Sequence, residues 1–250
     1  MVNLFLQTRQ WVLKTIWLVR QSIKISIFFG MLYLAMYMIF PALPGMQFMG
    51  LIAVFIWPFL TIFIILFYRT LAENKPFSFE KCVLLVKPKV SNLLLVGFFS
   101  FLYAVLLSSL IGNDIATLVE VSKNNQEYKY TFSDFSGIIL KLLVLAIPFM
   151  MMTWFSPLLI AFKDYSFFKS IKSSFAASLM FLIPIMLSLL AITTLFLISV
   201  FVLSAIFAII GSSTSALVSF FVSFLMIILM AAFMASTFAL QSVTFKEIFK

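Results

Sequence analysis

The side chains able to do chemistry in this 250-residue chain are few, and their spacing does not assemble a catalytic group. Histidine is absent and cysteine occurs once, at Cys82, so no zinc or copper site of ordinary type can form and no disulfide can close within the chain. Glu73, Glu80, Asp114, Glu120, Glu127, Asp134, Asp164 and Glu247 all fall in segments read here as loops or tail. A carboxylate buried in a bundle is the usual carrier of proton or sodium coupling, so ion-driven transport by that route is disfavoured. Lys141 is the single charge near a span interior, about one turn in, where its stem reaches the headgroups. Hydroxyls are plentiful, including Ser108, Ser109, Thr153, Ser156, Ser188, Thr193 and Thr194, and are expected to bond helix carbonyls before any ligand. Cys82 reads as an interfacial residue, with acylation as the alternative. The chain is therefore expected to be no enzyme and to need no metal or cofactor.

Prolines carry the more specific signal. Pro58, Pro148, Pro157 and Pro184 lie in or at the ends of long apolar runs, and each frees a carbonyl wherever its helix continues. In Trp154-Phe155-Ser156-Pro157 the carbonyl at risk is that of Thr153, with Ser156 and Ser188 as the expected donors. Trp154 and Pro157 are expected to pack against the start of the fifth span near Pro184 and fix a bend there. Broken helices also form substrate sites in many transporters, which is the physical footing of an alternative reading. Met150-Met151-Met152 reads as packing rather than as a soft apolar path.

The elements that must hold these residues follow from composition. With 64% hydrophobic and 10% charged residues, the chain departs far from the roughly half apolar and about a quarter charged of soluble domains. It is an integral membrane protein, and its +9 balance points to lipid headgroups before nucleic acid. A bilayer core about 30 Å thick needs about 20 apolar residues per helix. Six runs qualify: 25–40, ended by Pro41-Ala-Leu-Pro44-Gly45; 46–67, stopped at Tyr68-Arg69; 93–111, fenced by Gly112-Asn113-Asp114; 138–162; a fifth ending at Gly211; and 216–240. From Phe175 to Ile210 the apolar run is too long for one span, so the stretch to about Ile183 is read as interfacial. The domain reading is an amphipathic interfacial helix over 1–24 and a six-helix transmembrane domain over 25–250, an all-α polytopic bundle.

Positive charge sets the orientation. On the side of the N-terminus fall Arg9, Lys14, Arg20, Lys24, Arg69, Lys75, Lys81, Lys87, Lys89, Lys163, Lys169, Lys172, Lys246 and Lys250, against Lys123, Lys129 and Lys141 on the other. Fourteen against three puts both termini in the cytoplasm. The localisation expected is a bacterial cytoplasmic (inner) membrane, crossed several times. Residues 1–24 lack the apolar core and cleavage site of a secretory signal. On a helical wheel Leu4, Phe5, Trp11, Val12, Ile16, Leu18 and Val19 share one arc, with Leu6, Leu13 and Trp17 among the polar residues, which suits a surface anchor or a docking helix for a partner. The small-residue stripes Ala231, Ala235, Ala239 and Ser204, Ala208, Ser212 are expected to join spans six and five within one chain. Phe77-Ser78-Phe79-Glu80-Lys81 after span two echoes Tyr165-Ser166-Phe167-Phe168-Lys169 after span four. The echo implies two parallel units, each with a basic interfacial segment, and a lipid-headgroup collar of Lys81, Lys87, Lys89, Lys169 and Lys172.

Trp154-Phe155-Ser156-Pro157-Leu158-Leu159, followed by Lys172-Ser173-Ser174-Phe175-Ala176-Ala177 and Pro184, resembles a signature of uncharacterised six-helix bacterial inner-membrane proteins. That family is in turn distantly like the membrane domain fused to some glycerophosphodiester phosphodiesterases. Where its members often carry Asn before the proline, this chain has Phe181. The resemblance implies the same architecture and no particular activity. The function expected is a non-enzymatic scaffold or accessory subunit with anionic-lipid contacts, its partners membrane lipids and another membrane protein, with no nucleic acid. The alternative is a passage or binding protein for an apolar or lipid-like substrate. A reporter fused after Lys250 or inserted near Lys75 is expected to read cytoplasmic, and one near Asn125 periplasmic; the opposite reading at any of the three breaks this topology.

Overall fold

In hydrocarbon no water is available to the backbone, so a spanning segment must satisfy its own N–H and C=O groups, and helices do this locally. The computed structural model of the protein describes residues 2–124, 132–210 and 216–250. No strand occurs among the described residues, and six helical segments are long and apolar enough to cross a membrane. The protein is an all-α, multi-pass membrane protein.

Helix α1 (Val2–Gln21) is separated from α2 (Ile23–Leu34) only by Ser22. The chain then widens into a π turn (Ala35–Ile39), with the Phe40 N–H reaching back to Ala35, just ahead of Pro41. Leu43, the residue before Pro44, is extended as proline sterics require, and Gly45 takes φ +78°. Across this turn the Tyr37 hydroxyl donates to the Ala53 carbonyl at 2.8 Å. Helix α3 (Phe48–Ala72) runs past the expected stop at Tyr68-Arg69, because nothing before Asn74 (φ 51°) and Pro76 breaks a helix. Short α4 (Phe79–Val86) and the turn Lys87–Lys89 lead into α5 (Val90–Asn124). That helix does not stop at Gly112-Asn113-Asp114: a glycine in a helix costs only about 1 kcal/mol relative to Ala. Asp114 and Glu120 are therefore helical rather than in a loop, and Asp114 pairs with Lys141 at 2.7 Å, so Lys141 is not a lone snorkelling charge.

Helix α6 (Phe132–Thr153) breaks before α7 (Ser156–Lys163). Helix α8 (Phe167–Met180) turns at Phe181 into α9 (Leu182–Ile210), and α10 (Ala216–Ile248) closes the chain, running eight residues beyond the expected Leu240. Glu80 and Glu247 lie in helices too, against the loop-and-tail expectation. The expected turn at Gly211-Ser-Ser-Thr-Ser215, the loop around Asn125, and the side chains of Lys123, Glu127, Lys129, Asp134, Ala208 and Ser212 lie outside the described residues.

The bundle is centred where α2 crosses α10. A Cβ placed on Gly30 would sit 1.9 Å from the Ala231 carbonyl oxygen, so the two backbones touch only because the residue is glycine. Ala231, Ala235 and Ala239 are fully buried, which corrects the expected pairing: this stripe faces span one, while the neighbouring Ala232, Phe233 and Ser236 face α9, where Phe196 and Phe233 stack at 4.7 Å. Ser204 of the other stripe is exposed. Tyr68 of α3 is buried in the same seam, donating to Ser26 Oγ at 2.9 Å and lying 3.4 Å from the Ala235 carbonyl oxygen. Against this seam α1 buries Trp11, Thr15 and Leu18, a stripe narrower than the expected arc, while Phe5 and Ile16 join Leu6, Leu13 and Trp17 on its exposed side. An i, i+4, i+7 row is enough for one helix contact; the other apolar side chains are left for lipid. Gly30→Ala is expected to push α2 off α10, lowering stability in detergent by about 1–3 kcal/mol or more, as core overpacking does. Thermal unfolding of the purified variant measures it.

Candidate functional site at the broken helix and the basic face

Breaking a helix inside a membrane exposes carbonyls that must find donors. The break between α6 and α7 falls at Trp154-Phe155, with Phe155 at φ −108° as the cap of α7 and Pro157 in its first turn, where the missing N–H costs nothing. The helix does not continue through Pro157, and the orphaned carbonyls are those of Met151, Met152 and Trp154 in addition to the anticipated Thr153. Ser174 of α8 accepts from the Phe155 N–H at 3.0 Å and donates to the Met151 carbonyl at 2.8 Å. Ser178 donates to the same carbonyl at 3.2 Å, Ser156 donates to Met152 at 2.7 Å, and the Gln241 amide of α10 donates to Trp154. Ser188, expected to help, instead donates to Pro184 of its own helix at 2.7 Å. The turn is thus held by α8 and α10, and Pro184 sits in the first turn of α9, three residues past the bend. Trp154 and Phe155 rings meet edge to face, and Phe155 is completely buried against Phe245 and Phe249.

Two features of the sequence correspond to this lock. Ser170, Ser174 and Ser178 recur every four residues and are all buried on one face of α8. Gln241 is a lone amide near the end of a long apolar run.

Beside the turn lies a cavity of about 210 Å³, lined by Tyr33, Thr61, Thr153, Trp154, Thr237 and Gln241. The Trp154 indole N–H is buried without a hydrogen-bond partner among the described residues. Ser156 and Ser188 do not line it, so the groove through Thr153, Ser156 and Ser188 that a passage would use is not among the described cavities.

On the face carrying both chain ends, the sequence echo has a structural counterpart. Each unit ends a spanning helix with a left-handed residue, Asn74 or Asp164, the only non-glycine residues of positive φ among those described. Ser78 and Ser166 then take extended backbone and open α4 and α8, and Ser78 Oγ accepts from the Lys81 N–H at 3.4 Å. Asn92 of α5 links the units by accepting from the Phe167 N–H at 3.3 Å.

Of the collar lysines, Lys81, Lys87, Lys169 and Lys172 are exposed, with the Lys169 ammonium 4.1 Å from the centre of the Tyr165 ring. Lys89 is corrected. Its side chain is only 15% exposed, pairs with Asp164 at 2.7 Å and donates to the Ala161 carbonyl, so it caps the end of α7 and has no charge left for a headgroup. Cys82 is buried beneath α4.

No protein-family model, no curated protein and no solved structure matches the chain.

Ser174→Ala deprives both the Phe155 amide and the Met151 carbonyl, and an unmet buried group costs about 1–3 kcal/mol. Its thermal stability in detergent is expected to fall clearly, whereas Ser188→Ala, which breaks only a bond to its own helix, should fall much less. Equal losses for the two would contradict this account of the turn.

Proposed function

We propose that the protein is a non-enzymatic scaffold or accessory subunit of a bacterial cytoplasmic membrane, both termini inside, that holds anionic phospholipid against its basic face. The observation that carries this reading is a groove of about 460 Å³ between α3, α4 and α5. Its walls are apolar, from Phe59, Phe63, Phe79, Val83 and Val86, and Lys87 stands at its margin. An acyl chain fits such walls and a phosphate suits that lysine. The exposed Lys81, Lys169 and Lys172 extend the charge along α4 and α8, and the positive-inside pattern places them where anionic lipid is met.

The passage reading has weaker support. The cavity at Trp154, of about 210 Å³, falls below the about 300–1,000 Å³ of ordinary ligand pockets, too small for a lipid-like substrate.

Replacing Lys81, Lys87, Lys169 and Lys172 together by Gln is expected to lower the anionic lipid that copurifies with the protein. Each surface cation contributes about 1 kcal/mol before salt screens it, so the difference should shrink at high ionic strength. Lys89→Gln should instead lower thermal stability with little change in lipid. Unchanged lipid content in the quadruple variant would refute the collar as a lipid contact.

A further inference from the structure

A second basic site lies apart from the collar, where α1, α3 and α10 meet. Lys14, Trp17, Arg69, Ser242, Lys246 and Glu247 surround a cleft of about 220 Å³, several times the about 30 Å³ one water occupies in the liquid. The three cations come from three different helices, so no single helix face accounts for their convergence.

The charges do not cancel. Both oxygens of Glu247 are taken at 2.6 Å, one by Lys14 and the other by Lys250. Nearby Glu73 is paired with Lys75 at 2.7 Å, which holds its carboxyl below the usual range. Arg69 and Lys246 therefore have no carboxylate in direct contact among the described residues. Arg69 is only part-exposed, and its guanidinium carbon is fixed 4.3 Å from the centre of the Phe162 ring. Stacking spends one face of the guanidinium and leaves its N–H edge open, the arrangement in which arginine binds phosphate with two parallel hydrogen bonds. Glu73 acts on Arg69 and Lys246 through space as a partial counter-charge, and a part-buried cation gains further from an anion in direct contact.

The remaining walls say what kind of anion. Ser242 is a buried hydroxyl on the cleft wall, while Leu18, Ala72 and Val243 are apolar, and Trp17 is half exposed on the outer side of α1 as interfacial tryptophans are. We propose that this cleft binds a phosphate ester, with Arg69 and Lys246 on its oxygens and the apolar wall against its organic part. Basic pockets between spanning helices on the cytoplasmic side are a known way of holding lipid headgroups. A phospholipid and a soluble phosphate share this chemistry, and the proposal rests on the orientation given above but not on the collar.

The test is native mass spectrometry of the whole protein in detergent, titrated with phosphatidylglycerol and, separately, with phosphatidylcholine. Phosphatidylglycerol is expected to bind the parent; Lys246→Gln, which removes an unpaired cation, and Lys14→Gln, which leaves the Glu247 carboxylate less compensated beside the cleft, are each expected to weaken it by about fivefold, the equivalent of about 1 kcal/mol per charge. The Lys81/Lys87/Lys169/Lys172 quadruple variant should keep the tightest bound lipid. Arg69→Lys, which retains charge but not the stacked fork, should weaken binding as well; should it fail to fold, the two exposed lysines still decide the matter. Competition by millimolar inorganic phosphate or glycerol 3-phosphate assigns the site to a soluble phosphate, and resistance to both assigns it to lipid. Phosphatidylglycerol affinity within twofold of the parent in both Lys14→Gln and Lys246→Gln, with neither soluble phosphate binding, overturns the proposal even if the collar variants behave as expected.

Discussion

A carbonyl left unbonded in hydrocarbon costs several kcal/mol, and this chain breaks the apolar segment Phe135–Lys163 after Thr153. At the break after Thr153, Ser174, Ser178, Ser156 and Gln241 reach the Phe155 N–H and the carbonyls of Met151, Met152 and Trp154 from three directions. That requirement fixes more than the turn. For Ser174 to bond both Phe155 and Met151, α8 must lie along the α6–α7 junction, which sets where α9 can begin. For Gln241 to reach Trp154, α10 must remain helical to at least the residue after Leu240, where its apolar run was expected to end. The alanine seam then brings α2 into backbone contact with α10 at Gly30, and Tyr68 pins α3 to both.

The six spans were legible because bilayer thickness is a length that apolar runs must match. Their ends were not, because a helix stops where backbone chemistry stops it and not where apolar side chains run out. Arg69 and Asp114 look like boundaries by charge, yet α3 ends at Asn74 and Pro76, and α5 continues to Asn124. Pro157 announced a break, and a break is there, but its donors are not the expected pair. Ser188 is near in the sequence order of spans and bonds its own helix, whereas Ser174 is brought in by a fold of α8 that one sequence does not specify. The spacing of Ser170, Ser174 and Ser178 was the readable clue, since a buried polar row must face something polar.

The same distinction separates the cations. Lys81, Lys87 and Lys89 look equivalent in the sequence, three positive charges around a short amphipathic helix. Lys89 is consumed by Asp164 and the end of α7, because the end of α7 packs against the turn that leads into α5. It joins the halves of the protein and contributes nothing to its field. Asn92 does a similar job with an uncharged amide on the Phe167 N–H, so the boundary between the units is closed by capping one helix from another.

What remains for function is the charge that the fold does not neutralise internally. Glu247, Glu73 and Asp164, three of the few acids on this face, are each matched to a lysine. The cations outside those pairs fall into two kinds. The exposed lysines of α4 and α8 are on flexible stems in water, where ordering them costs about as much as a single contact returns, so they act together and weakly. Arg69 is already ordered by Phe162 and partly desolvated, so an anion meeting it loses less to side-chain entropy and gains more from the lower dielectric. If lipid is held anywhere on this face with stoichiometry rather than as a diffuse layer, the physics places it at the cleft of Arg69 and Lys246 before it places it at the collar.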